Sequence, residues 1–222
     1  MNVLAVAAHP DDEVLGCGAT LARHADRGDA VSVLILGTGA LSRPEGTAAQ
    51  VAALGEQAQA AGRILGVREV RVLDLPDNRF DSLDLLDIVR RVEVELTRLA
   101  PDIVYTHHAA DLNVDHRRTF EAVVTACRPT GPDGPRRVLS FEVPSSTEWQ
   151  PPTAAPAFAP NVFVDVDVTL ERKVAALAAY VGEVRPFPHP RSAEALRALA
   201  AWRGASAGLR AAEAFALVRE RV

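Results

Sequence analysis

Cysteine is scarce in this chain: the two among its 222 residues, Cys17 and Cys127, lie far apart with no Cys-x-x-Cys spacing. That argues against a disulfide framework or a cysteine-built structural zinc site, and reads as two buried thiols in a reducing cytoplasm. Positive charge is short as well. Lys and Arg number 24 against 29 Asp and Glu, a formal charge of −5, and nearly all the cations are Arg. No basic footprint for nucleic acid or another polyanion follows from such a balance. Long apolar runs are missing too. The N-terminal run stops at His9 with no basic segment before it, far short of the ~20 apolar residues of a membrane span and unlike a secretory leader. The expectation is a soluble, cytoplasmic, unprocessed protein that binds a small molecule, with neither nucleic acid nor membrane as partner. Homo-oligomerisation stays open, because apolar C-terminal helices can pack within one protomer or between several.

Three familiar signatures are incomplete. Gly16-Cys17-Gly18 starts like a dinucleotide fingerprint, but Leu21 stands where the third glycine belongs and the segment follows a helix start instead of forming the strand-to-helix turn. Ser145, Ser146 and Thr147 have no G-x-S-x-G elbow around them, which argues against a serine nucleophile. Asp111 to Asp115 reads D-x-N-x-D like a calcium loop, without the glycine and terminal glutamate of that motif.

What is present is a chain apolar enough, at 48% hydrophobic residues, to bury a full core. As far as Pro129, short apolar runs alternate with stretches of helical period, the pattern of βαβ units. Strands are expected near Val3 to Ala8, Val31 to Leu36, Val70 to Leu73 and Asp102 to Thr106, with helices after each. In the helix from Asp81 to Ala100, apolar Leu83, Leu86, Val89, Val92 and Leu96 recur at spacings of three and four. Further on, Leu139 to Val143 and Val162 to Val166 read as strands around a Pro/Ala-rich loop, and residues 168–184 and 192–222 read as helical. The fold class expected is one three-layer α/β/α domain over residues 1–222, Rossmann-like, with a mostly parallel sheet of order 3-2-1-4-5 and extra strands. Loops 37–46, 74–82 and 144–160 would shape the binding pocket.

In such a sheet ligands bind beyond the carboxyl ends of the strands where the winding reverses. A-H-P-D-D-E follows strand one, and His107, His108, Asp111, Asn113, Asp115 and His116 follow strand four. Strands one and four are the neighbours at the reversal, so segments roughly 100 residues apart meet in one crevice. Alone, H-P-D-D-E also reads as an acidic helix cap, and D-x-N-x-D-H as an Asx-rich turn. Their coincidence at the switch point favours a metal site. His9, Asp12 and one distant histidine give the three N/O ligands of a catalytic zinc with one position left open, iron or another divalent ion being an alternative. Asp11 then stays free as a general base, and Asp115 can fix an imidazole tautomer. Arg43, Asn78 and Arg79 project from neighbouring carboxyl ends and are candidates for substrate binding, as are His107, His108 and His189.

With D-x-N-x-D-H-R after strand four, A-H-P-D-D-E resembles the LmbE-like or PIG-L deacetylases, metal-dependent enzymes that remove N-acetyl groups from amino sugars and related compounds. L-D-L-P-D-N-R-F-D, S-S-T-E-W, H-P-R-S-A-E-A-L and A-E-A-F look like further segments of bacterial members. The resemblance implies His9, Asp12 and His116 as zinc ligands and Asp11 as base. It also marks a departure: many relatives carry a histidine where this chain has Asn113, and an amide donates to an oxyanion but delivers no proton to a leaving amine.

Overall fold

Strand β1 (Asn2–Ala7) is an inner strand, third from one edge, of a seven-stranded sheet in the computed structural model, which describes residues 1–39, 47–131, 134–152 and 155–222. Helix α1 (Asp12–Asp26), β2 (Ala30–Gly37), α2 (Ala48–Leu65), β3 (Glu69–Leu75), α3 (Leu85–Leu99), β4 (Ile103–His107), α4 (Val114–Ala126) and β5 (Arg137–Phe141) follow in strict alternation. The strand order is 3-2-1-4-5-7-6, and β1 to β5 are parallel. This is the order expected from the alternating pattern. It puts the reversal of winding between β1 and β4, with the residues after both strands on one edge.

Successive strand residues face opposite sides, which explains the unbroken apolar runs. Val3, Ala5 and Ala7 join Val31, Val33 and Ile35 in a core shared with α1 and α2, while Leu4 and Val6 join Leu34 and Leu36 in a second core against α3 and α4. Two caps set the helices that flank the sheet. Thr47 forms a capping box with Gln50 at the start of α2, and Gly66 ends that helix at φ 78°.

The C-terminal third differs from the expectation in two places. Strand β6 (Val162–Asp165), α5 (Leu170–Ala178) and α6 (Ala193–Ala205) lie within the ranges read from the sequence, but residues 212–220 form strand β7 instead of more helix. β7 runs antiparallel between β5 and β6, pairing Phe141 with Phe215 and Val162 with the same residue. Ala and Glu favour helix in isolation, but Gly208 at φ 72° stops the chain first, and two waiting strand edges supply hydrogen bonds on both sides. Helix α5 also ends well short of residue 184. No helix among the described residues is long and apolar enough to cross a membrane.

Candidate metal centre

Two strand ends and the helices that follow them deliver the convergent polar side chains of the crevice. β1 ends in His9-Pro10, after which Asp11 adopts φ 103°, a left-handed conformation that is rare for a non-glycine residue. The twist lets Asp12 begin α1 pointing back, so that its Oδ2 accepts from the His9 amide at 2.8 Å. β4 ends at His107, and the loop after it leads through Asp111 and Asn113 into α4, which carries His116. Asn113 caps that helix, its side-chain oxygen accepting from the Asp115 amide at 2.8 Å. Three of the four non-glycine residues with positive φ among those described, Asp11, Asn78 and Ser145, line this one cleft. Backbone strain concentrates at functional sites.

Asp12 Oδ2 stands 3.3 Å from His9 Nδ1 and 3.2 Å from His116 Nε2, and the ligand atoms of these three residues lie within 4.8 Å of one another. Each imidazole is gripped from behind. Asp115 Oδ2 is 2.9 Å from His9 Nε2, and Asp111 Oδ1 is 3.1 Å from His116 Nδ1. The carboxylates are fixed in turn: Asp115 accepts from the Phe80 amide at 2.9 Å, and Asp111 accepts from the hydroxyls of Ser146 and Thr147. Imidazoles backed by hydrogen-bonded carboxylates are the usual support of metal-ligating histidines. Asp115 thus serves His9, an assignment the sequence left open, while the partner of His116 is Asp111.

The electrostatics favour a cation. Burial pulls the His9 and His116 pKa values down, yet the carboxylates around them outweigh it and raise them to about 10 and about 9. The pocket therefore draws positive charge, which a divalent ion supplies as well as two protons do. One nitrogen of each imidazole and one oxygen of Asp12 converge, and the other nitrogens are already committed. This donor set fits zinc or a similar ion held by three protein ligands.

Asp11 takes no part in that set. It is 2% exposed, and burial pushes its carboxyl well above the usual range, countered in part by Arg191. Arg191 Nη1 donates to Asp11 Oδ2 at 2.7 Å and to Glu183 at 2.9 Å, and Nε donates to Ser145 Oγ at 2.7 Å. The remaining side chains form a polar cleft of about 140 Å³ over the centre, with Asn78 and Asn113 joined by a 3.1 Å bond in its wall.

Other candidates fall elsewhere. His107 is wholly buried beneath the cleft, accepting from the Ala8 amide at 2.8 Å and stacked 4.0 Å behind His116. Burial, and then His116, hold its pKa well below 6.5, so it is neutral, and it lies outside the cleft lining. His108 leans on Phe158 and lies 3.3 Å from the Pro156 carbonyl, outside the cleft lining. Arg79 is exposed at the start of a 3-10 turn (Phe80–Ser82) and also outside that lining. His189 accepts from the Arg191 amide at 3.1 Å and so supports the turn that carries Arg191. Arg43 lies outside the described residues.

The sequence and the fold have counterparts in known proteins. Residues 4–127 match the profile of PIG-L, described as GlcNAc-PI de-N-acetylase. The chain belongs to the PIG-L family. A relative from Escherichia coli (strain K12), the uncharacterized deacetylase YaiS, is 35% identical over 170 residues, covering 74% of this chain and 82% of that protein. The conserved protein TT1542 from Thermus thermophilus superposes with a TM-score of 0.81 at 27% identity, over 100% of this chain and 96% of its own. GalB, the 4-carboxy-2-hydroxymuconate hydratase from Pseudomonas putida KT2440, superposes at 0.80 and 25% identity, over 100% and 98%.

As a PIG-L protein the chain has the family's α/β scaffold, and its H-P-D-D-E segment supplies two of the three converging ligand atoms. Glu183, Arg191 and Asp77, whose Oδ1 lies 3.3 Å from His9 Nε2, escape a reading of the sequence alone, which places Asp111 in the crevice but not its role behind His116. Arg191 sits two positions from His189 in P-H-P-R-S, so that segment does reach the site, through a different residue from the one its histidine suggests.

Proposed function

We propose that this protein is a metal-dependent hydrolase that removes an N-acetyl or similar N-acyl group from an amino sugar or a related small molecule in the cytoplasm. The observation that carries the reading is Asp11: a buried carboxylate beside a three-ligand centre, excluded from ligation and held in place by Arg191. A zinc ion on His9, Asp12 and His116 would supply Lewis acidity toward the acyl oxygen and acidify water to a pKa of roughly 7.

The chain's own residues account for the remaining steps. Asp11 accepts the proton of the attacking water; burial raises its affinity for that proton, and Arg191 opposes the shift. Asn113 Nδ2 gives one hydrogen to Asn78 and keeps a second for the oxyanion. His107 is buried and neutral, so it does not protonate the leaving amine. Protonated Asp11 returns its proton there, and acetate and amine separate. Asn78, Ser145 and Arg191 line a small polar cleft suited to a hydroxylated ring.

Acetate release decides the reading. Zinc-loaded protein should liberate acetate from some member of a panel of N-acetylated sugars and amides, and the Asp11→Asn variant should not. Water addition to an unsaturated acid, the activity named for GalB, consumes substrate without acetate; that result, or a panel no better than the variant, would sink the proposal.

A further inference from the structure

Helix α1 is broken. Cys17 stands at φ −144°, ψ 15° inside it, and the bonds that a continuous helix makes from Ala19 and Thr20 back to Leu15 and Gly16 are replaced. Ala19 and Thr20 donate to Glu213 Oε1 and Oε2 at 3.1 and 2.7 Å. The Leu15 carbonyl accepts from Lys173 Nζ at 2.8 Å, which donates to Glu213 as well at 2.6 Å. Thr169 Oγ1 donates to the Ala19 carbonyl at 2.9 Å. Lys173, the only lysine of the chain, and Glu213 are each 5% exposed. They come from α5 and β7, beyond the residues 4–127 that match the family profile.

A buried ion pair is a poor source of stability, because desolvating both charges offsets most of their attraction. Here its geometry has a use. We propose that Lys173 and Glu213 form a wedge that holds α1 open at Cys17 and so sets the direction of the turn Asp12–Gly16, placing Asp12 between His9 and His116. Glu213 caps the second half of the helix, taking two amides left without carbonyls, and Lys173 caps the first half, taking its freed carbonyl. The first turn is pinned on its other sides. Tyr180 donates to Glu13 at 2.5 Å, and Gly16 lies so close to Phe141 that a Cβ would stand 2.3 Å from that ring. A continuous helix would close the Ala19–Leu15 bond and swing Asp12 out of line with the two imidazoles. Neither wedge residue lines the cleft, so both are positioning residues.

The inference rests on the metal-centre reading, and the test separates the two. In the variant Lys173→Met/Glu213→Leu, apolar groups of similar volume replace the pair, and the free amides can bond only by closing the helix. The expected result is a folded protein with little change in melting temperature, a crystal structure in which Ala19 donates to Leu15, and zinc affinity about 10- to 100-fold weaker by chelator competition. The cobalt-substituted protein should show an altered d–d spectrum. If the double variant fails to fold, Glu213→Gln replaces one acceptor oxygen with an amide donor and should weaken zinc binding in the same direction. A lower melting temperature with unchanged zinc affinity would make the pair a mere stabiliser and overturn the proposal. A break retained at Cys17 in the double variant would overturn it whatever the metal result. Wild-type protein that binds no zinc would instead overturn the metal centre and with it the role given to Asp12, leaving the crystal structure to decide whether the pair opens the helix.

Discussion

At the residue scale, Asp11 and Asp111 are both buried carboxylates, yet their surroundings give them different tasks. Asp11 is pushed up by burial and faces the cleft, whereas Asp111 is held down at about 2, burial notwithstanding, by His116, Ser146 and Thr147. Asp11→Asn should therefore lower kcat by about 10²- to 10⁴-fold with bound metal per chain unchanged, measured by acetate release and elemental analysis. Asp111→Asn should act in the opposite register, weakening zinc binding by about 10- to 100-fold because His116 loses the group that orients it. Equal metal affinity in wild type and Asp111→Asn would remove Asp111 from the centre. Arg191→Gln should reduce kcat/KM without loss of metal, since Arg191 touches Asp11 and none of the three ligands.

At the scale of elements, β7 carries the largest consequence. Its Phe215 is wholly buried, pairs across both neighbouring strands and packs on Tyr105 at 5.0 Å between centroids. Phe215→Ala should cost about 3–5 kcal/mol in urea denaturation. Trp202→Ala on α6, at a side chain 68% exposed, should stay within about 0.5 kcal/mol. Near-equal values would mean that residues 212–220 are not an internal strand. The H-P-D-D-E turn was legible because its neighbours are neighbours in sequence too, whereas β7 draws its hydrogen bonds from strands about 50 to 80 residues away, where local propensity has no influence.

At the scale of the molecule, the charge balance around the centre couples metal, protons and stability. His9 and His116, raised to about 10 and about 9, hold protons in the metal-free fold that they give up near 6.5 when unfolded. The folded state then binds more protons than the unfolded one between those values. The stability they contribute is complete below about pH 6.5 and is lost as pH rises toward 9 to 10. Metal-free protein should lose melting temperature over that window, while zinc-loaded protein, whose imidazoles are already deprotonated, should lose much less. Apparent zinc affinity should rise over the same window, because binding releases those protons. A flat pH profile of chelator-treated protein would contradict the charge-driven centre.

The sequence by itself determined the alternating α/β plan, the strand order around the switch point, and the nearness of His9, Asp11 and Asp12 to the His116 loop. Each follows from a local signal: apolar periodicity, turn residues, or a motif at a strand end. Tertiary structure alone decided that Asp115 backs His9 and Asp111 backs His116, that Arg191 rather than His189 reaches Asp11, and that the C-terminal segment enters the sheet. It also decided that Lys173 and Glu213 interrupt α1. The physical reason is the same in every case: these contacts join residues far apart in the chain, and their energies depend on burial and on the competing partners that only the packed fold brings within reach.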